Sequence, residues 1–188
     1  MNVYDFDKTI FDGDSTVLFI LYLLKKQPHI ARAVPGILGN GLLFLTRMLG
    51  KQAFKERLFV AVFTRVSDID AHLHAFWDLN EGKIKRWYAR TRREDDVVIT
   101  ASPVGIVRPM CERLGIRHVL GSPVDLYTGR YSGPNCHGEE KVLRFRAAFP
   151  GETVDDFYSD SHADDPMARI AKRAIWVRGE ELSPWVMR

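Results

Sequence analysis

Between residues 95 and 177, short apolar runs alternate with segments of helical spacing, and this alternation limits the possible folds more than any other feature of the chain. Val97 to Thr100, His118 to Gly121, Val154 to Tyr158 and Ala174 to Val177 read as strands, while Pro103 to Leu114, Glu139 to Phe149 and Pro166 to Arg173 read as helices. Strand-helix-strand repeats need right-handed crossovers, which build a parallel sheet covered by helices on both faces. Asn2 to Phe6 adds a first strand, and Val124 to Tyr131, turning at Thr128-Gly129, reads as a small hairpin. Thr16 to Arg93 shows no convincing strand and places its apolar residues three and four apart, as helices do. The expected architecture is therefore α/β: a doubly wound parallel sheet from residues 1–13 and 95–188, with a helical cap inserted at 14–94.

A chain of 188 residues can bury a core but is short for two independent domains. Lys plus Arg exceed Asp plus Glu by 27 − 24 = 3, a balance too mild to imply nucleic acid. The basic run Lys83, Lys85, Arg86, Arg90, Arg92 and Arg93 reads as a solvated helix face. Two cysteines, Cys111 and Cys136, point to a reducing compartment, and acids at the start of the chain do not resemble an export signal. The longest unbroken apolar run, Val17 to Leu24, is eight residues, short of the roughly 18 needed to cross a bilayer. These features suit a cytoplasmic protein.

In open α/β sheets, ligands bind beyond the carboxyl ends of the strands. The residues at those ends are Asp5 and Asp7, Thr100 and Ser102, and Asp160 with Asp164; Lys141 opens a helix in the same half. Carboxylates converging at one rim repel each other unless a cation intervenes, and oxygen ligands without a His/Cys cluster favour Mg²⁺. A hydroxyl at a strand end, followed by the amides of a strand-to-helix turn, can cradle phosphate oxygens, and a lysine adds positive charge. The parts describe phosphoryl transfer. Ser102 also reads as a cap for the helix that Pro103 opens, and His137 and His162 read as ordinary loop residues.

These residues also carry a resemblance. Asp5-Phe6-Asp7-Lys8-Thr9 resembles the D-x-D-x-T signature of the haloacid dehalogenase (HAD) superfamily, Val97 to Thr100 its second motif, Lys141 its third, and Asp160-Ser161-His162-Ala163-Asp164 its D-x-x-x-D fourth. The arrangement is most similar to the phosphoserine-phosphatase-like branch, in which a helical cap follows the first motif. The resemblance implies that Asp5 is a nucleophile and Asp7 an acid and base. It implies that Thr100, with the amides of Ala101 and Ser102, binds phosphate while Lys141 holds Asp5 and the phosphoryl oxygens. It also implies that Asp5, the Asp7 carbonyl and Asp160 ligate Mg²⁺, with Asp164 supporting the metal shell.

Substrate choice then falls to the cap. Asp14 stands where phosphoserine phosphatases carry an acid for the substrate amine, but the position of their carboxylate-binding arginine falls on Ala61 by ungapped matching from Phe54. A one-turn shift would bring Arg57 or Arg65 there instead. Val17 to Leu24, then Lys25-Lys26 and the apolar Val34 to Leu49, read either as cap core or as an interfacial surface flanked by cations. Ser102-Pro103, Gly138-Glu139-Glu140-Lys141 and Tyr158-Ser159-Asp160-Ser161 also resemble the phosphatidylglycerophosphate phosphatase C type. The expected substrate is a small phosphorylated metabolite or a lipid phosphate, the latter with peripheral membrane contact through the cap. Phosphoserine hydrolysis, phosphoryl transfer to another acceptor, and a non-catalytic basic binding module are the competing readings.

Overall fold

A computed structural model describes residues 1–187. Its six-stranded sheet has the order β3-β2-β1-β4-β5-β6. The strands are β1 (Val3–Tyr4), β2 (Val97–Pro103), β3 (His118–Ser122), β4 (Val154–Ser159), β5 (Ala171–Arg178) and β6 (Glu181–Pro184). Neighbours from β3 to β5 pair in parallel, and β6 alone runs antiparallel. The chain leaves β1 at the centre of the sheet, moves to one side through β2 and β3, and returns to the other through β4. That reversal beside β1 is the switch point at which the strand ends open a crevice.

Between β1 and β2 lie five α-helices: α1 (Ser15–Lys26), α2 (Val34–Leu45), α3 (Lys51–Phe63), α4 (Ile69–Asn80) and α5 (Arg86–Thr91). Asp14 opens α1 by accepting from the Val17 amide at 2.9 Å, and Lys25 and Lys26 oppose the helix dipole in its last turn. The remaining helices are α6 (Val104–Arg113), α7 (Glu139–Ala148) and α8 (Asp165–Ile170).

Alternation along the strands divides the core into two layers. Tyr4 and Val98 face a cluster that includes Phe19, Phe59, Phe63, Phe76, Trp77 and Trp87 of the inserted helices, together with Ile106 and Met110 of α6. Val3, Val97 and Ile99 face the opposite layer with Phe145 and Met167. The inserted helices thus share an apolar layer with the sheet, and the buried Trp77 indole N–H donates to the Ile106 carbonyl at 2.7 Å.

Several boundaries differ from the sequence reading. Pro103 ends β2 and caps α6, because its ψ of 124° is extended rather than helical. Residues 171–173, expected to finish a helix, instead begin β5, where Arg173 of β5 holds Asp156 of β4. β6 has four exposed residues and no alternation to reveal it. The expected hairpin is reduced to a single bridge, Val124 to Tyr131. Its Gly129, at φ 71°, lies against α3 so closely that a Cβ would come within 2.3 Å of the Val60 nitrogen. The turn is therefore packed against the inserted helices.

Candidate active site

Asp5 follows β1 directly, and its amide donates to the Tyr158 carbonyl at 2.9 Å, which extends the β1–β4 pairing and fixes the residue at the rim. Lys141, in the first turn of α7, is buried with its ammonium between two carboxylates, 2.9 Å from Asp5 Oδ1 and 2.8 Å from Asp164 Oδ2. Asp164 Oδ2 also accepts from the Ser159 hydroxyl at 2.7 Å. Burial pushes the Asp5 carboxyl up to about 7, against the opposing pull of Lys141. Burial alone would pull Lys141 down, but Asp164 and Asp5 together raise it above the ordinary amine range, so the ammonium stays charged.

The second acid, Asp7, is held by both oxygens. The Ser15 amide donates to Oδ1 at 2.8 Å and the Ser102 hydroxyl to Oδ2 at 2.5 Å, while Thr16 donates to the Ser102 hydroxyl at 2.9 Å. Burial raises the Asp7 carboxyl above the usual carboxylate range, and the Ser102 and Ser15 bonds restrain the rise. Ser102 reaches this position because β2 loses register with β3 between Ile99 and Pro103, a bulge that re-aims side chains at the strand end. The Ser102 amide donates to Thr100 Oγ1 at 3.2 Å. The Ser102 side chain does not cap α6, whose N-cap position is Pro103.

Asp160 follows β4, where burial raises its carboxyl and Lys8 pulls it back. Lys8 has a left-handed backbone, φ 57°, unusual for a lysine; its amide donates to the Gly13 carbonyl at 2.9 Å, and its own carbonyl accepts from the Lys85 ammonium. Lys85 is consequently buried beneath this loop, a correction to its reading as part of a solvated basic face. Lys83, Arg86, Arg90, Arg92 and Arg93 are exposed as expected.

Asp5, Asp7, Thr100, Ala101, Ser102, Lys141, Asp160 and Asp164 all line one cavity of about 310 Å³, and Asp14 lies on its wall as well as capping α1. A larger hollow of about 550 Å³, lined by Asp12, Lys83, Lys85 and Arg90, has none of these strand-end groups. Lys51, Lys55 and His137, which the sequence reading did not place here, also line the cavity. Lys55 donates to the Ala101 carbonyl at 3.2 Å and to Asn135 Oδ1 at 3.3 Å, and Lys51 is 2.9 Å from His137 Nε2. The i, i+4 spacing of the two lysines could have shown that they share a helix face, although not what that face overlooks. Ala61, Arg57 and Arg65 do not line this cavity; Arg57 reaches Asn40 and Arg65 the Ala61 carbonyl. His162 packs against Trp176 at a ring distance of 4.5 Å and so has a structural place.

The model of the haloacid dehalogenase-like hydrolase family matches residues 3–169. A histidinol-phosphatase of Neisseria meningitidis serogroup C is 30% identical over 96 residues, which is 45% of this chain and only 43% of that protein. Protein CicA of Caulobacter vibrioides is 28% identical over 186 residues, covering 89% of this chain and 81% of its own length. A crystal structure of a Bordetella pertussis protein of unknown function superposes with a TM-score of 0.73 at 20% identity, over 94% of this chain and 88% of that one. This last likeness shows a shared fold, while the family match spans most of the chain and includes every strand-end residue described above. The chain belongs to the haloacid dehalogenase-like hydrolase family.

Proposed function

We propose that this hydrolase is a phosphomonoesterase acting through a phosphoryl group carried on Asp5. The observation that carries the reading is the buried Lys141 bridging Asp5 and Asp164 in a cavity that also presents Asp7 and Thr100. An Asp5 carboxylate oxygen attacks phosphorus, and the bond from phosphorus to the leaving oxygen breaks. Asp7, raised by burial and therefore disposed to hold a proton, gives that proton to the departing alkoxide. A water then attacks the phosphoryl group, Asp7 takes its proton, and inorganic phosphate leaves with the Asp5 carboxylate restored. Thr100 and the Ala101 amide bind phosphoryl oxygens, and Lys141 orients Asp5 and offsets charge. Asp14 faces the leaving group, and residues 14–94 form the cap. The phosphatase name of the Neisseria relative agrees with this chemistry.

The donor set fits Mg²⁺. It consists of oxygen ligands, and burial raises both Asp5 and Asp160, a cost that a bound cation would relieve. Among the described residues no group of three or more His, Cys, Asp or Glu side chains is arranged to hold an ion alone. Mg²⁺ does not require one, since it binds through one or two carboxylates and keeps several waters. Asp5, Asp160 and the Asp7 carbonyl would hold it, while Asp164 supports the site through Lys141. When bound, the ion neutralises charge on the phosphoryl oxygens. Acid quenching during turnover tests the central step: the phosphoryl group should be recovered on Asp5, and its absence there under conditions of rapid turnover would refute it.

A lipid phosphate is favoured by one observation. The twelve residues of α2 include none that is buried, and Leu38, Leu42, Leu45 and Met48 are 64–77% exposed. From Ser15 to Lys55 there is no Asp or Glu, against six Lys and Arg. An apolar face within a cationic segment suits peripheral contact with an anionic membrane. Among the described residues no helix is long and apolar enough to cross one.

A further inference from the structure

We infer that Lys51 and Lys55 form a second anion site facing the reacting centre, and that the substrate's leaving alcohol carries an anionic group of its own, a carboxylate or a further phosphate. The inference rests on the phosphomonoesterase reading and assigns the substrate class for that site.

Both lysines project from one face of α3 into the cavity that holds Asp5 and Thr100. Their polar partners are uncharged or weakly basic: the Ala101 carbonyl and Asn135 Oδ1 for Lys55, and His137 for Lys51. Among the described residues neither ammonium has a carboxylate within 4.0 Å. Like charges four residues apart on a helix repel. Burial and the neighbouring Lys51 lower the Lys55 pKa, and burial followed by Lys51 lowers that of His137. An anion placed between these groups would relieve each of these costs.

Asp14, Asp7 and Asp5 face Lys55 across the cavity and raise its pKa, but none of them forms an ion pair with it. The next acid along α3, Glu56, accepts from the Tyr131 amide at 3.3 Å. The acceptors that locate Lys55 are themselves held, because the Ser122 hydroxyl shares its one proton between the Ala101 carbonyl and Asn135 Oδ1, at 2.9 and 3.1 Å. The lysine is therefore placed by a built network. The phosphoryl end already has Lys141 and Thr100, and a cavity of about 310 Å³ has room for more than a phosphoryl group. Lysine ammonium groups act as point charges and accept either a carboxylate or a phosphate.

Three matched esters test the inference: glycerol 3-phosphate, 3-phosphoglycerate and glycerol 1,3-bisphosphate. The parent enzyme should turn over at least one of the two doubly anionic esters with a kcat/KM about tenfold or more above that of glycerol 3-phosphate. That ratio should fall toward one in Lys51→Ala and Lys55→Ala and largely survive in Lys55→Arg. The carboxylate and bisphosphate arms distinguish the two anions. No preference in the parent, or an equal loss for all three esters in the alanine variants, would overturn the inference; the equal loss would assign the lysines to the transferred phosphoryl group. Calorimetry on folded Asp5→Asn protein provides a readout without turnover. Preferential binding of a doubly anionic ester that is lost in Lys55→Ala supports the site even if the hydrolytic reading fails, and absence of that preference overturns it.

Discussion

The Lys141 ammonium is shared between Asp5 at 2.9 Å and Asp164 at 2.8 Å, all three buried at the carboxyl end of the sheet. One cation thus positions an acid after β1 and another after β4. Lys141→Met should cost on the order of 3 kcal/mol of folding stability, because it leaves two buried carboxylates without their shared counter-ion. Urea unfolding checks the cost. Turnover should fall by more than about 10²-fold.

Ser102 restrains the Asp7 carboxyl through its 2.5 Å hydrogen bond. In Ser102→Ala the Asp7 carboxyl should rise further, since a bond favouring the charged form is gone. The alkaline limb of the kcat/KM profile, where protonated Asp7 is depleted, should then move to higher pH. The rate should fall roughly tenfold, less than the effect of removing an acid-base group outright. A pH-rate comparison of parent and variant decides it.

Asp96 predicts a dependence of stability on pH. Burial raises its carboxyl to about 6, although the Arg93 amide and Tyr88 hydroxyl donate to Oδ2; its Oδ1 is buried without a hydrogen-bond partner. A carboxyl raised on folding binds more protons in the folded state, so its contribution is greatest below pH 4 and is lost as pH rises through about 6. Asp96→Asn should therefore unfold at higher urea than the parent at pH 7.5, by on the order of 2 kcal/mol, with little difference at pH 4.5. Asp5 contributes a slope of the same sign and is common to both proteins.

The exposed face of α2 predicts binding to anionic vesicles. The parent should co-sediment with phosphatidylglycerol vesicles at low salt and less with phosphatidylcholine. Leu42→Glu should weaken binding by at least about tenfold while folding is preserved, because the altered side chain is exposed. Equal recovery with both lipids would count against membrane contact.

The central strands and the acids at their ends were legible because period and composition are local. Val97 to Ile99 is a continuous apolar run, Asp5 and Asp160 follow strands directly, and Asp7 lies two residues after Asp5. β6 was hidden because its four residues are exposed and derive their order from pairing with β5. The hydrogen bond of the Ser102 amide to Thr100 could not be read, since it depends on the β2 bulge. Lys51 and Lys55 were hidden for another reason: only the packing of α3 beside the turn at Gly129 places them over the strand ends. Lys85 lay within a run of cations, and its burial follows from the left-handed Lys8 loop above it.

The most direct measurement is phosphate release from an aryl phosphate, with Mg²⁺ or with chelator, by the parent and by Asp5→Asn. Turnover should require both the ion and the Asp5 carboxylate. Undiminished turnover by Asp5→Asn, with its fold verified, would contradict the account.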